Sequence, residues 1–190
     1  TINYYSYEKL FTGMIESWRK EWKINFPFYF VQIAPFNYEY NCIGALLRES
    51  QTKSSLYNNT GMVVITDLTP DTNNIHPILK KEVSSRLSNL ALNKTYGFKN
   101  INCESPIYLS HIIEDDKIKI QFTNTSGGII VKGEEITCFE IAGPDKVFYP
   151  AQAIIKDDKV IVFNKKIKKP VAVRYAFNNT AIPNLFSKDG

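Results

Sequence analysis

Gly61–Pro77 reads Gly-Met-Val-Val-Ile-Thr-Asp-Leu-Thr-Pro-Asp-Thr-Asn-Asn-Ile-His-Pro, and its texture changes twice along the way. Met62–Ile65 is a short, almost wholly apolar run, the pattern of a buried strand. It empties into a polar turn that delivers His76 and Pro77 to an amphipathic pattern, in which Ile78, Leu79, Val83, Leu87, Leu90 and Ala91 recur at helical spacing. Pro77 suits a first helical position, where the N–H it lacks would have no intrahelical acceptor. The spacing therefore predicts that His76 sits where a parallel strand gives way to a helix. In open α/β sheets, ligands bind at that edge, outside the carboxyl ends of the strands. His76 has two readings there. It fills a helix start as an ordinary polar residue, or it serves as a general base, kept neutral because a helix N-terminus disfavours the imidazolium.

Working outward, the upstream chain alternates in the same way. Tyr4 to Trp22 carries an apolar stripe (Tyr7, Leu10, Phe11, Met14, Ile15, Trp18, Trp22) that predicts a helix packed on a sheet. Phe28–Ala34 is almost continuously apolar between Pro27 and Pro35, as expected of a strand covered on both faces. Gly44–Tyr57 follows as a helix, and the helix after His76 is expected to end near Gly97, which supplies a left-handed stop. Helix, strand, helix, strand, helix is the alternation of a doubly wound α/β layer. Two strands make a poor sheet, so further parallel strands are expected upstream of this stretch.

After Gly97 the texture changes again. Ile107–Ile113, Lys117–Phe122, Ile129–Val131, Thr137–Ile141, Ala151–Ile155, Val160–Phe163 and Val171–Tyr175 are short strand-like runs. Turn signals such as Glu-Asp-Asp-Lys, Ser-Gly-Gly, Gly-Pro-Asp-Lys and Lys-Asp-Asp-Lys separate them, the spacing of an antiparallel sandwich or small barrel. The expected division is 1–101 for the α/β part and 102–190 for a β-rich, sandwich- or jelly-roll-like part.

Composition narrows the function. The net charge of +4 over 190 residues, with one basic cluster at Lys165–Lys169, makes no electrostatic case for nucleic acid. No apolar run approaches a membrane span, and no membrane partner is expected. Cys42, Cys103 and Cys138 lie far apart without metal-ligand spacing, and at most one disulfide can form among them. Asn58, Asn93, Asn124 and Asn178 each open an N-x-Ser/Thr sequon, as chance allows in an Asn-rich chain.

Several segments occur together in a recognisable order. They are Phe26-Pro27-Phe28-Tyr29-Phe30-Val31-Gln32-Ile33-Ala34-Pro35, Leu47-Arg48-Glu49-Ser50-Gln51, Gly61-Met62-Val63-Val64 and Asn74-Ile75-His76-Pro77. Phe139-Glu140-Ile141-Ala142-Gly143-Pro144-Asp145, Phe148-Tyr149-Pro150-Ala151 and Pro170-Val171-Ala172-Val173-Arg174-Tyr175-Ala176 complete the series. Over nearly its whole length the chain resembles the sialate O-acetylesterase family, within the broader SGNH-type hydrolases.

The resemblance implies a serine esterase on a flavodoxin-like α/β layer with a β-rich domain attached. It implies no cofactor, and no metal site is expected. His76 matches the family's base in Ile-His-Pro. The family's catalytic serine and a Tyr-Gln-Gly-Glu-Ser segment that helps form the oxyanion hole lie earlier than the matched region. Both are therefore expected upstream of Thr1, on a longer precursor, a separate fragment or another chain. This polypeptide alone is expected not to turn over esters. The substrate implied is an O-acetylated sugar, most directly sialic acid, with acetylated plant polysaccharide and a non-catalytic carbohydrate-binding or structural role as alternatives. Phe148, Tyr149 and Phe177 are the aromatic candidates for the binding role. An extracytoplasmic location, periplasmic or secreted, is expected.

The partner of the base is less clear. Relatives carry Asp three or two residues before the His, where this chain has Asn73 and Asn74. An asparagine carbonyl can accept the imidazole N–H but cannot offset the developing positive charge. Asp71 on the same turn is the first alternative and Asp67 at the strand end the second; either serves equally as a turn-former. A dyad without a carboxylate is also open. Arg48 and Gln51 match the family's Leu-Arg-Glu-Ala-Gln motif, with Ser50 in place of Ala. Three apart on one helix face, they brace active-site loops, touch substrate, or form an ordinary sheet-edge hydrogen-bond pair.

Overall fold

The structure, a computed structural model, describes residues 4–188. The described residues up to Cys103, together with Asn178–Thr180, form one compact unit, and Glu104–Phe177 with the residues from Ala181 form a second. Asn178–Thr180 had been expected in the β-rich part.

In the first unit, strand β1 (Phe28–Val31) pairs in parallel with β2 (Thr60–Val63), Phe28 opposite Thr60 and Val31 opposite Val63. Because side chains alternate along a strand, β1 presents rings to both sides. Phe28 and Phe30 meet Phe11 of helix α1 (Tyr4–Trp22) edge-on, with centroids 5.7 and 4.9 Å away. Val31, on the opposite face, packs with Leu79, Val83 and the buried Ala34, Ile65 and Leu68. The aromatic stripe of α1 thus packs on the sheet as its spacing predicts, although Leu10 and Trp22 stay exposed at its margins. Arg19 of α1 ties together the turns that lead into both strands, donating to the carbonyls of Phe26, Asn58 and Asn59.

Helix α2 (Ile43–Ser54) links β1 to β2, and helix α3 (Lys80–Lys94) follows β2. Val83, Arg86 and Leu90 lie at 3-4 spacing and share the face of α3 turned to the sheet, and Leu79, just ahead of the helix, packs on the same cluster as Val83. Leu90 is fully buried, and its two methyl carbons lie 3.0 and 3.3 Å from where a Cβ on Gly61 would stand. Gly97, at φ 79°, follows the helix as the expected left-handed stop.

α3 begins later than expected. Pro77 is not its first residue: the helix starts at Lys80, three residues on. Two local hydrogen bonds hold the intervening chain out of helical geometry. The Asn74 side chain accepts the N–H of His76 at 2.9 Å, and Ile78 O accepts the N–H of Lys80 at 2.8 Å. Leu79, at φ −77° and ψ 61°, is the centre of an inverse γ-turn.

The second unit is antiparallel throughout its described pairings. Strands β3 (Ile107–Glu114), β4 (Lys117–Thr123), β8 (Gln152–Lys156) and β9 (Lys159–Phe163) form a sheet in the order β3-β4-β9-β8. β6 (Phe139–Ala142), β7 (Phe148–Pro150) and β10 (Ala172–Tyr175) form a second, ordered β10-β6-β7, and β5 (Ile129–Val131) pairs with β11 (Leu185–Ser187). Alternate residues Ile118 and Ile120 of β4 and Val160 and Val162 of β9 meet Phe139 and Ile141 of β6 in one core. β7 and β11 had no expected counterpart; each is three residues long, too short for a periodic signal. Cys42, Cys103 and Cys138 are not joined by a disulfide. Among the described residues, no helix is long and apolar enough to cross a membrane.

Candidate functional site

The carboxyl ends of β1 and β2 are where the first unit's polar side chains gather. The ladder runs one bond further than the strands, Gln32 N–H to Val63 O at 2.9 Å, and then stops. The side-chain oxygen of Gln51 takes the next N–H, that of Ile33, at 2.8 Å, which explains why β1 falls short of Ala34. β2 ends for a similar reason. Arg86 takes Val64 O, and Ile65 O accepts from Leu68 N–H and from the buried hydroxyl of Thr69 as a short 3-10 turn (Thr66–Leu68) begins.

Beyond Thr69 the chain forms two successive side-chain-capped turns. The carboxylate of Asp71 accepts the N–H of Asn73 at 2.9 Å, and the amide oxygen of Asn74 accepts the N–H of His76. His76 is exposed. It lies four residues before the first residue of α3, not at the helix terminus, so the expectation that the helix N-terminus holds its ring neutral loses its geometric basis. The oxygens of Asn73 and Asn74 both have other donors, the first the side-chain amide of Asn37 at 3.4 Å, the second the backbone of His76.

Asp67 is withdrawn from the candidates for the base's partner. Its two oxygens accept parallel bonds from Arg86 at 2.7 and 2.6 Å, the fork arrangement that satisfies a carboxylate most fully. Asp71 is exposed on the same loop as His76 and caps Asn73 with one oxygen.

Arg48 and Gln51 are both buried, at 7% exposure each. Gln51 has both ends of its amide engaged inside the unit, with Ile33 N–H and with the hydroxyl of Tyr7 at 3.2 Å. These bonds tie α2 to the chain after β1 and to α1. Arg48 donates to the carbonyl of Asn178 at 2.5 Å, while its own carbonyl accepts from Gln32. Burial holds the Arg48 pKa below the usual guanidinium value, an effect that the nearby Tyr38 hydroxyl opposes. Burial likewise raises the Tyr38 phenol, against the pull of Arg48.

One residue of this region carried no sequence signal beyond membership of a sequon. Asn179 is buried, and its amide oxygen accepts Gly44 N–H at 2.9 Å, satisfying a donor in the first turn of α2. Its amide nitrogen donates to Tyr38 O at 3.2 Å and Tyr40 O at 2.8 Å.

In the second unit, Phe148 and Phe177 are engaged elsewhere than the aromatic-platform reading supposed. The guanidinium of Arg174, paired with Glu140, lies over both rings, 4.2 and 5.3 Å from their centroids. Tyr149 remains exposed.

No protein-family model matches the chain, and no curated protein matches it. Among solved structures it is similar to a carbohydrate acetylesterase from Xanthomonas citri, with 34% identity and a TM-score of 0.89. The likeness covers 97% of this chain and 43% of that one, so these residues span less than half the length of the acetylesterase they match.

Proposed function

We propose that this chain is the histidine-bearing part of an esterase that removes acetyl groups from carbohydrate. The observation that carries the reading is the likeness to a carbohydrate acetylesterase at 34% identity over 97% of the chain. In the finer form of the proposal, the α/β unit belongs to a flavodoxin-like layer of SGNH type, and the reaction runs through a serine outside these 190 residues. His76 takes the serine proton as the hydroxyl attacks the acetyl carbonyl. The tetrahedral oxyanion collapses as His76 returns that proton to the departing sugar oxygen. Water, deprotonated by the same imidazole, then attacks the acyl-enzyme, and acetate is released as the imidazolium returns that proton to the departing serine oxygen. The exposure of His76 on the loop beyond β2 supports this role, since a base must reach a hydroxyl supplied from elsewhere. Asp71, one of whose oxygens caps Asn73, is the carboxylate proposed to steady the imidazolium. Arg48 and Gln51 act from beneath the site as braces. The substrate proposed is O-acetylated sialic acid or a related sugar.

The test uses the polypeptide as its gene encodes it, with every residue upstream of Thr1 included. Acetate release from O-acetylated sialic acid is compared with release from an acetylated plant polysaccharide. His76→Ala is expected to lower kcat by about 100- to 10,000-fold. Full activity in that variant removes the mechanism, and turnover of the polysaccharide alone removes the sialate assignment.

A further inference from the structure

Phe36 and Asn37 follow β1 and carry successive backbone N–H groups that donate to opposite neighbours. Phe36 N–H goes to Asn179 O at 3.0 Å, and Asn37 N–H goes to Thr72 O at 2.8 Å. The Asn37 side chain also reaches Asn73 at 3.4 Å. Thr72 and Asn73 lie in the pair of capped turns that ends at His76. A continuous path of hydrogen bonds therefore runs from Asn179 through the Phe36–Asn37 backbone to the His76 loop. We propose that Asn179 is the positioning residue for His76: it templates the segment from Phe36 to Gly44, and that segment in turn fixes the loop that carries the imidazole.

The chemistry of Asn179 suits the task. A side-chain amide offers two donors and an acceptor in one plane. Here the oxygen holds Gly44 N–H, and the nitrogen holds the carbonyls of Tyr38 and Tyr40, while the backbone oxygen holds Phe36. One buried residue thus satisfies four backbone groups, three in the irregular chain between β1 and α2 and one in the first turn of α2. Arg48 secures the same site from below through the carbonyl of Asn178. Losing the Asn179 side chain leaves three backbone groups without that partner, and a buried group without a partner draws the local structure open.

The catalytic consequence rests on the proposed role of His76, but the positioning itself can be read without substrate. The chain has two histidines, His76 and His111, and His111 lies in the second unit as an internal reference. In isotope-labelled protein, Asn179→Ala should displace the His76 ring resonances and speed amide exchange at Asn37, Asn74 and His76 by about tenfold or more. The His111 resonances should stay where they are. Asn179→Asp keeps the acceptor for Gly44 and the side-chain volume but loses both donors, and should give a smaller displacement of the same signals. It decides the matter if the alanine variant fails to fold. In the wild-type chain, the Phe36 and Asn37 amides should be protected from exchange together. Unprotected amides there, or unchanged His76 signals in a folded variant, overturn the inference. In the active full-length protein, Asn179→Ala should lower kcat about 10- to 100-fold with KM little changed. Esterase activity surviving His76→Ala would sink the proposed function alone, because the resonance and exchange measurements need no turnover.

Discussion

Arg86 grips both oxygens of Asp67 with parallel bonds of 2.7 and 2.6 Å while donating a third, also 2.6 Å, to the carbonyl of Val64. A residue on α3 thereby seals the end of β2 and the turn that follows it. The Asp67 side chain is 17% exposed and that of Arg86 34%. Water screens the pair incompletely, and geometry favours it.

Asp67→Ala should therefore destabilise the chain by about 1.5–3 kcal/mol, the range for a lost hydrogen bond to a charged group. Urea unfolding of the two single variants and of the double variant with Arg86→Ala measures the coupling directly. A coupling near zero would show that the fork contributes geometry without stability.

His76→Ala should leave the fold untouched. The ring is exposed, so its removal opens no cavity, and Tm should move by less than about 2 °C. A larger fall in a thermal melt would show that the ring packs against its surroundings.

These two sites show where sequence could and could not be read. α1 was legible because its apolar side chains recur every three or four residues from Tyr7 to Trp22, and tertiary packing reinforces that period. The Asp-rich turns of the second unit were legible because turn chemistry is local. The start of α3 was misread because Pro77 is only compatible with a helix start, whereas the Asn74 cap and the γ-turn at Leu79 act directly on the backbone. The commitment of Asp67 was hidden because Arg86 lies 19 residues away. The side-chain partners of Asn179 are 135 to 141 residues distant, beyond the reach of any periodicity.

Alkaline pH should weaken the chain through Tyr175. Burial pushes its phenol up to about 12 from 10.0, against the opposing bond from Leu185 N–H. The neutral form is favoured in the folded state, so this contribution is complete below pH 10.0 and is lost as pH rises from there through about 12. Stability should fall across that window, and Tyr175→Phe should flatten part of the fall. The remainder belongs to other raised phenols such as Tyr38. An equal slope in the phenylalanine variant would assign the effect elsewhere.

The β8–β9 hairpin turns through Asp157 and Asp158, both left-handed at φ 52° and 55°, with Lys156 opposite Lys159. Two-residue turns of this kind favour Asn-Gly, because glycine adopts positive φ without steric cost. Asp158→Gly should stabilise the chain by about 0.5–1 kcal/mol in urea unfolding. Destabilisation would mean that the Asp158 side chain makes an interaction worth more than the relieved backbone.

Gly61 has no room for a methyl: a Cβ there would stand 3.0 Å from one methyl carbon of Leu90 and from a ring carbon of Tyr29. Arg86 lies one helical turn before Leu90 on the same face of α3, so whatever raises Leu90 also draws the guanidinium away from Asp67. A lone hydrogen atom on β2 thus sets the altitude of a helix, and through that helix it decides whether the turn after the strand stays latched. Bulk added at this position would be felt first not in the core but at the rim, several residues downstream of the change.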